Sequence, residues 1–299
     1  MSSWLISLEG TAHGHDLALA LALMAAFLHA LFGALQKGRH DPWLSRAAID
    51  ACYGVIAIPF ALFVVPWPEP HMWMIFVGAV IIHSGYKMMQ AMTYTRGAYT
   101  VVYPVVRGTG PLFTVVAAGF VFGETYAPGQ WLGVAVLVAG ILGLAGWNLT
   151  HISAGRDRMV PALWFAAGTG AFVAAYTTYD AWGIRATADP FTFLAWFFML
   201  DGIFIPVVTW RRWSRMARAE VLPLLQRGVI GAFVAYFSFG AIMLATRLDK
   251  VGEAAVLRET STVFAALIGW LVLKERVGRV QVGLMAMIAL GAVLMEFAG

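Results

Sequence analysis

Charged residues lie inside stretches of this sequence that are otherwise apolar. Arg107 sits in the segment Tyr-Pro-Val-Val-Arg-Gly-Thr-Gly-Pro, residues 103–111, and Arg258 is followed directly by Glu259. An ionised side chain in an apolar segment is costly unless it faces a partner charge, the protein interior or a water-filled cavity. Because buried cations attract anionic groups, these positions predict a site for an anionic or zwitterionic small molecule such as an amino acid.

Further polar side chains in apolar stretches could complete such a site. An imidazole titrates near neutral pH, and a carboxylate in apolar surroundings can exchange protons, so proton coupling is a second predicted role. The candidate substrate-binding residues are His29, Lys87, Tyr103, Arg107, Tyr176, Tyr179, Asp180, Arg258 and Glu259. The candidate proton-coupling residues are His29, Asp180, Asp201 and Glu259.

Each candidate also has a purely structural explanation. His29 could be a packing residue, and Lys87 could extend its amine toward the nearer membrane interface. Asp180 and Asp201 could form salt bridges with the buried arginines. The single cysteine, Cys52, offers no metal motif of the CxxC type, and no dense cluster of catalytic residues stands out, so we predict no catalytic residue, no metal and no cofactor.

The composition indicates which elements must position these residues. Of the 299 residues 61% are hydrophobic and 12% are charged, and the mean hydropathy is +0.77, whereas soluble domains carry roughly 25% charged residues. The net charge of +4 could suggest a nucleic-acid partner in a soluble protein. Here the basic residues lie mainly between apolar runs, which is typical of a topology signal, so the expected partners are the lipid bilayer and a small molecule.

Apolar runs of about 20 residues are long enough to cross the membrane as helices. Ten such runs predict an all-α integral membrane protein with ten transmembrane helices, near residues 17–37, 43–65, 72–93, 98–122, 129–148, 159–183, 190–210, 224–245, 251–273 and 277–297. No Lys or Arg precedes Lys37, so the first run is expected to be a retained helix rather than a signal peptide. The prolines and glycines around Arg107 predict an interruption of the fourth span.

An internal repeat covers nearly the whole chain. A shift of about 150 residues superposes Arg107 on Arg258 and Glu124 on Glu275, and a slightly shorter shift superposes Asp41-Pro42 on Asp189-Pro190. We therefore predict two five-helix repeats, residues 1–150 and 151–299. Because five is an odd number of crossings, the second repeat should be inverted, which is typical of transporters that work by alternating access around a midplane site.

The basic residues also bear on orientation. Most Lys and Arg follow the odd-numbered spans, and this distribution places both termini outside the cell.

Three passages resemble the EamA-type transporters of the drug/metabolite transporter superfamily. They are His29-Ala30-Leu31-Phe32 through Lys37, Val102-Tyr103-Pro104 through Arg107-Gly108, and the Gly123-Glu124 and Lys274-Glu275 that end the fourth and ninth spans. In relatives the first passage more often reads His-Ala-x-Trp-Asn, and Phe32-Gly33 replaces Trp-Asn here. The resemblance implies a multi-pass protein of the bacterial inner membrane that exports amino acids, nucleotide sugars, sugar phosphates or drugs, and many such relatives are described with cytoplasmic termini.

The residues therefore favour a secondary transporter, most simply an exporter, and not an enzyme. An exporter of lipophilic cations is the alternative that Asp180, Asp201 and Glu259 keep open. A membrane enzyme acting on lipid-linked substrates would need clustered catalytic groups at one interface. A passive channel would favour rings of charge around a symmetric pore, which the dispersed ionisable residues do not form.

Overall fold

A computed structural model describes residues 2–36, 41–96, 99–150, 159–271 and 278–299, and in this part of the chain the regular structure is entirely helical. The helices are α1 (Ser2–Ser7), α2 (Ala12–Gln36), α3 (Pro42–Phe63), α4 (Met72–Arg96), α5 (Tyr99–Phe122), α6 (Pro128–Thr150), α7 (Met159–Ala186), α8 (Pro190–Asp201), α9 (Phe204–Trp213), α10 (Arg218–Leu248), α11 (Val251–Arg258), α12 (Ser261–Leu271) and α13 (Arg279–Phe297). Within the described ranges, nine helical stretches are long and apolar enough to cross a membrane.

Two of the ten predicted spans are divided into two helices each. The seventh consists of α8 and α9, which together still form one candidate span, Pro190–Trp213. The ninth consists of α11 and α12, which have 8 and 11 residues, and neither alone reaches the roughly 20 residues that a crossing needs. The prediction of an integral membrane protein built from apolar helices is confirmed, while nine candidate spans rather than ten are found among the described residues.

The predicted interruption of the fourth span is wrong. α5 runs without a break from Tyr99 to Phe122 with Pro104 and Pro111 inside it. Prolines are tolerated in membrane helices where neighbouring groups satisfy the freed backbone. The glycines instead serve close packing, because a Cβ on Gly110 would lie 3.1 Å from the side chain of Val173 in α7. The break occurs in the equivalent span of the second half, at Glu259-Thr260.

The Asp-Pro pairs that reveal the repeat begin equivalent helices. The side chain of Asp41 accepts a hydrogen bond of 2.7 Å from the backbone N–H of Trp43 at the start of α3. The side chain of Asp189 accepts one of 2.8 Å from Phe191 at the start of α8. Both follow the standard rule of an acidic N-cap with proline at the first helical position, so the duplication is visible in helix capping as well as in sequence.

Glycines let the equivalent helices α6 and α13 pack backbone against backbone. A Cβ on Gly291 would lie 2.5 Å from the backbone N of Leu137, and one on Gly133 would lie 2.6 Å from that of Met295. Small residues at such a crossing are the usual basis of helix association in lipid.

Two hydrophobic cores flank the polar centre of the molecule. One is rich in aromatic side chains from α3, α4, α7, α8 and α10, including Phe76, Phe193 and Phe197. The other is mainly aliphatic and joins α2, α6, α10, α11 and α13. α10 contributes to both.

Candidate functional site

The divided ninth span brings three functional groups together. α11 ends at Arg258, and the backbone N–H groups of Glu259 and Thr260 donate to carbonyls only three residues earlier, at 3.0 and 3.1 Å. This tightened turn separates α11 from α12. Irregular backbone within a membrane protein is tolerated where protein or a water-filled cavity satisfies it, and here Arg258, Glu259 and Ser261 all contact Arg107 of α5.

Arg107 of α5 faces this turn and holds its carboxylate. Its Nε lies 2.7 Å from Oε2 of Glu259, but the N–H is poorly aligned, so the contact is an ion pair without a regular hydrogen bond. Its Nη2 donates to the hydroxyl of Ser261 at 2.7 Å and to the backbone carbonyl of Arg258 at 3.4 Å. Arg107 and Glu259 are both buried, so Arg107 neutralises Glu259 across the two halves of the chain.

Arg258 is less completely paired than Arg107. Its Nε lies 4.0 Å from Oε1 of Glu259, the edge of an ion-pair contact, and has no hydrogen-bond partner among the described residues. Its guanidinium lies 5.9 Å from the centre of the Tyr176 ring. Because Glu259 is already bound by Arg107, the positive charge of Arg258 is only partly compensated.

Asp180 of α7 is the acidic counterpart of Arg258. Its Oδ2 lies 2.8 Å from Nε2 of His83, while its Oδ1 is buried and has no hydrogen-bond partner in the part of the chain that the structure describes. The hydroxyl oxygen of Thr177, one turn away on α7, is likewise buried without such a partner. Leaving a buried polar atom without a hydrogen bond costs free energy. A polar ligand or a water molecule that bonded to Asp180 Oδ1 or Thr177 Oγ1 would recover that cost.

Arg258 and Asp180 line the same cavity. It has a volume of about 10 Å³, roughly the space for one water molecule. Although both charges face it, the described contacts include no ion pair between them. The cavity is completed by polar Tyr176, Thr177 and Thr246 and by apolar Phe239, Ile242 and Met243.

A second buried charge cluster surrounds Lys87 of α4. The amine of Lys87 lies 2.7 Å from Oδ2 of Asp50 and 2.9 Å from Oδ2 of Asp201, and it donates to the hydroxyl of Tyr53 at 3.1 Å. Arg46 binds the other oxygen of Asp50 at 2.7 Å. Two cations and two carboxylates therefore balance here, a cluster that we call the Lys87 network.

Equivalent residues of the two halves touch one another in both clusters. The hydroxyl of Tyr53 donates to Asp201 at 2.5 Å, and these residues are separated by 148 positions. Arg107 contacts the backbone of Arg258, 151 positions away. These separations are the two repeat shifts. Both clusters therefore join repeat-equivalent positions of the two halves.

The structure distributes the predicted site residues over three places. Arg107, Tyr176, Asp180, Arg258 and Glu259 gather at the cavity and its adjoining ion pair. The ring of Tyr103 lies 6.0 Å from the guanidinium of Arg107. Lys87 and Asp201 belong to the Lys87 network instead.

Two predicted residues lie apart from these charges. His29 contacts the rings of Phe32 and Phe239, the second of which lines the cavity. Tyr179 packs its hydroxyl against Gly78 and its ring against Trp182, away from the cavity lining. The substrate and proton roles assigned to all these residues stay predictions.

Several polar residues of the two clusters were not predicted. Ser261 and Thr177 carry no signal in the sequence beyond their proximity to Arg258 and Asp180. Tyr53 could have been found, because the repeat shift that aligns the Asp-Pro pairs also aligns Tyr53 with Asp201. Arg46 lies four residues before Asp50, a spacing that brings two side chains onto one helix face.

The helix-ending glutamate of the first half caps a helix of the second. The carboxylate of Glu124 accepts hydrogen bonds from the backbone N–H groups of Val251 at 2.7 Å and Gly252 at 3.1 Å, the start of α11. This is the helix-start role that its position suggests; its equivalent Glu275 lies outside the described residues. Burial and a hydrogen bond to Glu124 raise the pKa of the Tyr126 hydroxyl in the adjoining loop.

An acidic cluster near the same ends of the helices could hold a cation by distance alone. His15, Asp249 and Glu253 approach one another closely, and His15 also lies 3.1 Å from Glu296. However, Glu253 already binds Lys250 at 2.9 Å and Gln130 at 2.7 Å, so the donor set is largely used by protein groups.

These features define a class of protein. Apolar helices that cross a membrane, with incompletely paired buried charges gathered between two similar halves, are the architecture of a polytopic membrane transporter. The model of the EamA-like transporter family matches residues 16–146 and again residues 160–297. The chain therefore belongs to the EamA-like transporter family, whose members are membrane transporters rather than enzymes.

A solved structure agrees with this chain in fold, and a curated relative matches part of its sequence. A solved structure titled "Crystal structure of protein" has a TM-score of 0.77 at 18% identity and covers 94% of this chain and 99% of its own. An uncharacterized protein, y4nH, of Sinorhizobium fredii (strain NBRC 101917 / NGR234) is 31% identical over 70 residues, 23% of this chain. The match spans 60% of the length of that relative.

Proposed function

We propose that this protein is a secondary transporter, working as an exporter in the bacterial inner membrane, of a small anionic or zwitterionic metabolite such as an amino acid. The observation that carries the proposal is the cavity shared by Arg258 and Asp180, which face it without forming an ion pair. A cation and an anion held apart fit the two ends of a zwitterion, the carboxylate at Arg258 and the ammonium at Asp180.

The neighbouring groups suit the same ligand. Arg107 holds Glu259 at 2.7 Å and so leaves Arg258 available for a substrate carboxylate. Phe239, Ile242 and Met243 give the cavity an apolar wall on α10, which would take a small apolar side chain. The cavity of about 10 Å³ is smaller than an amino acid, so opening must widen it before a substrate can enter.

Alternating access is the mechanism that the repeat suggests. Five spans in each half require the halves to cross the membrane in opposite directions, and a site between them can then open to either face as one half rocks against the other. Arg107, from the first half, and Arg258, from the second, would supply the positive potential in both states.

Transport in liposomes tests this proposal. Purified wild-type protein is screened by counterflow and thermal shift against amino acids, organic acids and lipophilic cations. We expect an amino acid to exchange and to stabilise the wild type, and Arg258→Gln to lose exchange while Arg258→Lys retains part of it. Arg212→Gln is the matched control, since Arg212 is exposed and binds Asp41 at the surface. Unchanged flux in folded Arg258→Gln would refute the site.

A different observation favours a second candidate function, the export of lipophilic cations. A cleft of about 340 Å³ between α2, α11, α12 and α13 is lined by apolar side chains such as Leu23, Phe264 and Val293 and by one carboxylate, Glu296. Tetraphenylphosphonium is a suitable probe. Export of this cation that Glu296→Gln abolishes and Arg258→Gln leaves intact would support the second function over the first.

A further inference from the structure

His83 and Asp180 form a buried pair beside the proposed substrate site. Nε2 of His83 lies 2.8 Å from Oδ2 of Asp180, and both residues are only 3% exposed. The imidazole lies between the rings of Tyr176, at 4.7 Å, and Phe197, at 4.8 Å. The free Oδ1 of Asp180 belongs to the residue that lines the cavity, so one carboxylate serves the histidine on one side and the cavity on the other.

The charge of this pair must change when a cationic group enters the cavity. With the cavity empty, an ionised Asp180 in apolar surroundings is best balanced by a protonated His83, because an unpaired buried charge is strongly disfavoured. A substrate ammonium bound at Oδ1 supplies the same positive charge. We infer that the His83–Asp180 pair exchanges a proton for the ammonium group of the substrate and thereby couples transport to protons.

The exchange balances in charge and in atoms. Before binding, the imidazolium, the carboxylate and the free ammonium carry one net positive charge. After binding, His83 is a neutral imidazole that still donates Nε2–H to Asp180, the ammonium is bound at Oδ1, and the proton from Nδ1 of His83 has left to water on the side to which the cavity opens. Substrate and proton therefore compete for one carboxylate, which is the requirement for antiport. This inference rests on the proposed function for the identity of the substrate.

Other titratable groups near the pair are less suited to this exchange. Oδ2 of Asp201 is bound by Lys87 at 2.9 Å and by Tyr53 at 2.5 Å, and Asp201 does not line the cavity. His29 faces aromatic rings. The groups that face or act on the His83–Asp180 pair are Tyr176 of α7, Asp201 of α8, Arg258 of α11 and, on the helix of His83 itself, Lys87. Among the described residues, His83 and Asp180 are thus the histidine-carboxylate pair of which one member, Asp180, lines the cavity.

Nitrogen NMR of the imidazole rings tests the inference without a known substrate. Protein labelled with ¹⁵N in its histidines is placed in lipid nanodiscs, and the His83 signals are assigned by their loss in His83→Gln. We expect His83 to give the signals of a protonated ring without the amine, and saturating 3-methylbutylamine to convert them to those of a neutral ring at the same pH. In Asp180→Asn the amine should have no effect. A His83 that stays neutral throughout, or that ignores the amine, overturns the inference.

Binding affinity as a function of pH provides the second measurement. If one proton competes with one ammonium, the apparent Kd of 3-methylbutylamine should rise as the pH falls, approaching about tenfold per pH unit. The His83→Gln variant should show a flat profile, and His71→Gln, a loop histidine outside the site, should match wild type. 4-Methylpentanoate, which lacks the ammonium, should not show this dependence. An equal slope in His83→Gln would overturn the proton role of His83.

The proposed function fails separately from this inference. If amino-acid exchange survives in Arg258→Gln while His83 still releases its proton to water when the amine binds, the carboxylate site at Arg258 is wrong and the coupling pair stands. If amino-acid exchange needs Arg258 but is independent of pH in both wild type and His83→Gln, the substrate site stands and the coupling is wrong.

Discussion

The Lys87 network and the charges at the cavity differ in how closely opposite charges approach one another. In the Lys87 network, two cations and two carboxylates meet at 2.7 to 2.9 Å. At the cavity, Arg258 lies 4.0 Å from the carboxylate of Glu259, and both Arg258 and Asp180 line a cavity that Asp201 does not. Both clusters are buried and both join the two halves of the chain, so burial alone does not distinguish them.

The difference indicates two kinds of role for buried charge. A cluster whose charges are closely matched by protein groups holds α3, α4 and α8 together, although Oδ1 of Asp201 has no hydrogen-bond partner among the described residues. An incompletely paired cluster retains binding capacity at a cost in stability. Changes in the Lys87 network should therefore lower stability first, and changes at the cavity should lower transport first.

Lys87→Met should have the largest effect on stability. It leaves Asp201 with only the hydroxyl of Tyr53, and breaking a buried ion pair by removing one partner costs roughly 3 to 5 kcal/mol. Thermal unfolding in detergent measures the loss. Adding Asp201→Asn to this variant removes the unpaired charge and should recover much of it. Wild-type stability in Lys87→Met would show that the network is not a structural anchor.

Arg258→Gln should lower transport strongly and stability only slightly. Without the Arg258 guanidinium, Glu259 is still paired with Arg107 and Asp180 with His83, so we expect a stability loss of only about 1 kcal/mol. The rate of amino-acid exchange should fall roughly thirtyfold or more, since a buried charged contact to substrate is lost. Unfolding of Arg258→Gln on the scale of Lys87→Met would remove the distinction between the clusters.

Tyr53→Phe should weaken the Lys87 network without removing a charge. It deletes the hydrogen bond of 2.5 Å to Asp201, and a hydrogen bond to a charged group contributes about 1.5 kcal/mol. Asp201 keeps Lys87, so the loss should be clearly smaller than in Lys87→Met. Parallel thermal unfolding of the two variants gives the comparison, and an equal loss would mean that the hydroxyl, rather than the amine, holds the cluster.

Glu69→Gln should give the smallest effect and a dependence on pH. Burial opposes the charge of Glu69, but hydrogen bonds from its own backbone and from the backbone N–H of Ala188 outweigh it and lower the pKa of Glu69. A carboxyl whose pKa falls on folding stabilises the protein above its unfolded pKa, and this stability is lost as the pH falls through the folded value.

At pH 7 we therefore expect Glu69→Gln to cost about 0.5 kcal/mol, since the group is partly exposed. Near pH 3 the variant and wild type should unfold at the same temperature. A difference that persists in acid would assign the effect to packing instead of to the charge.

The sequence predicted the apolar helices and the repeat, because hydropathy and paired motifs are local signals. The Asp-Pro pairs at residues 41 and 189 both proved to be helix caps. The break in the ninth span was not predicted, because the prolines that suggest a break lie in α5, where packing keeps the helix continuous, and the actual break at Glu259-Thr260 contains no proline.

The pairing of the buried charges was also beyond the sequence. Lys87 and Arg258 look alike as cations in apolar helices. Only the fold brings Asp50, Asp201 and Tyr53 around Lys87. It leaves Arg258 4.0 Å from Glu259, a carboxylate that Arg107 already binds. Which ion is satisfied depends on contacts between distant helices that no local pattern records.

The central claim is that the two repeats cross the membrane in opposite directions, and labelling of equivalent loops tests it most directly. Cys52, the single cysteine, is replaced by alanine, and a cysteine is placed at Trp67 or at its repeat equivalent Arg215, both exposed. We expect a membrane-impermeant maleimide to label these two variants from opposite faces of intact cells or inverted vesicles. Labelling of both from the same face would contradict the inverted arrangement and the alternating-access mechanism that depends on it.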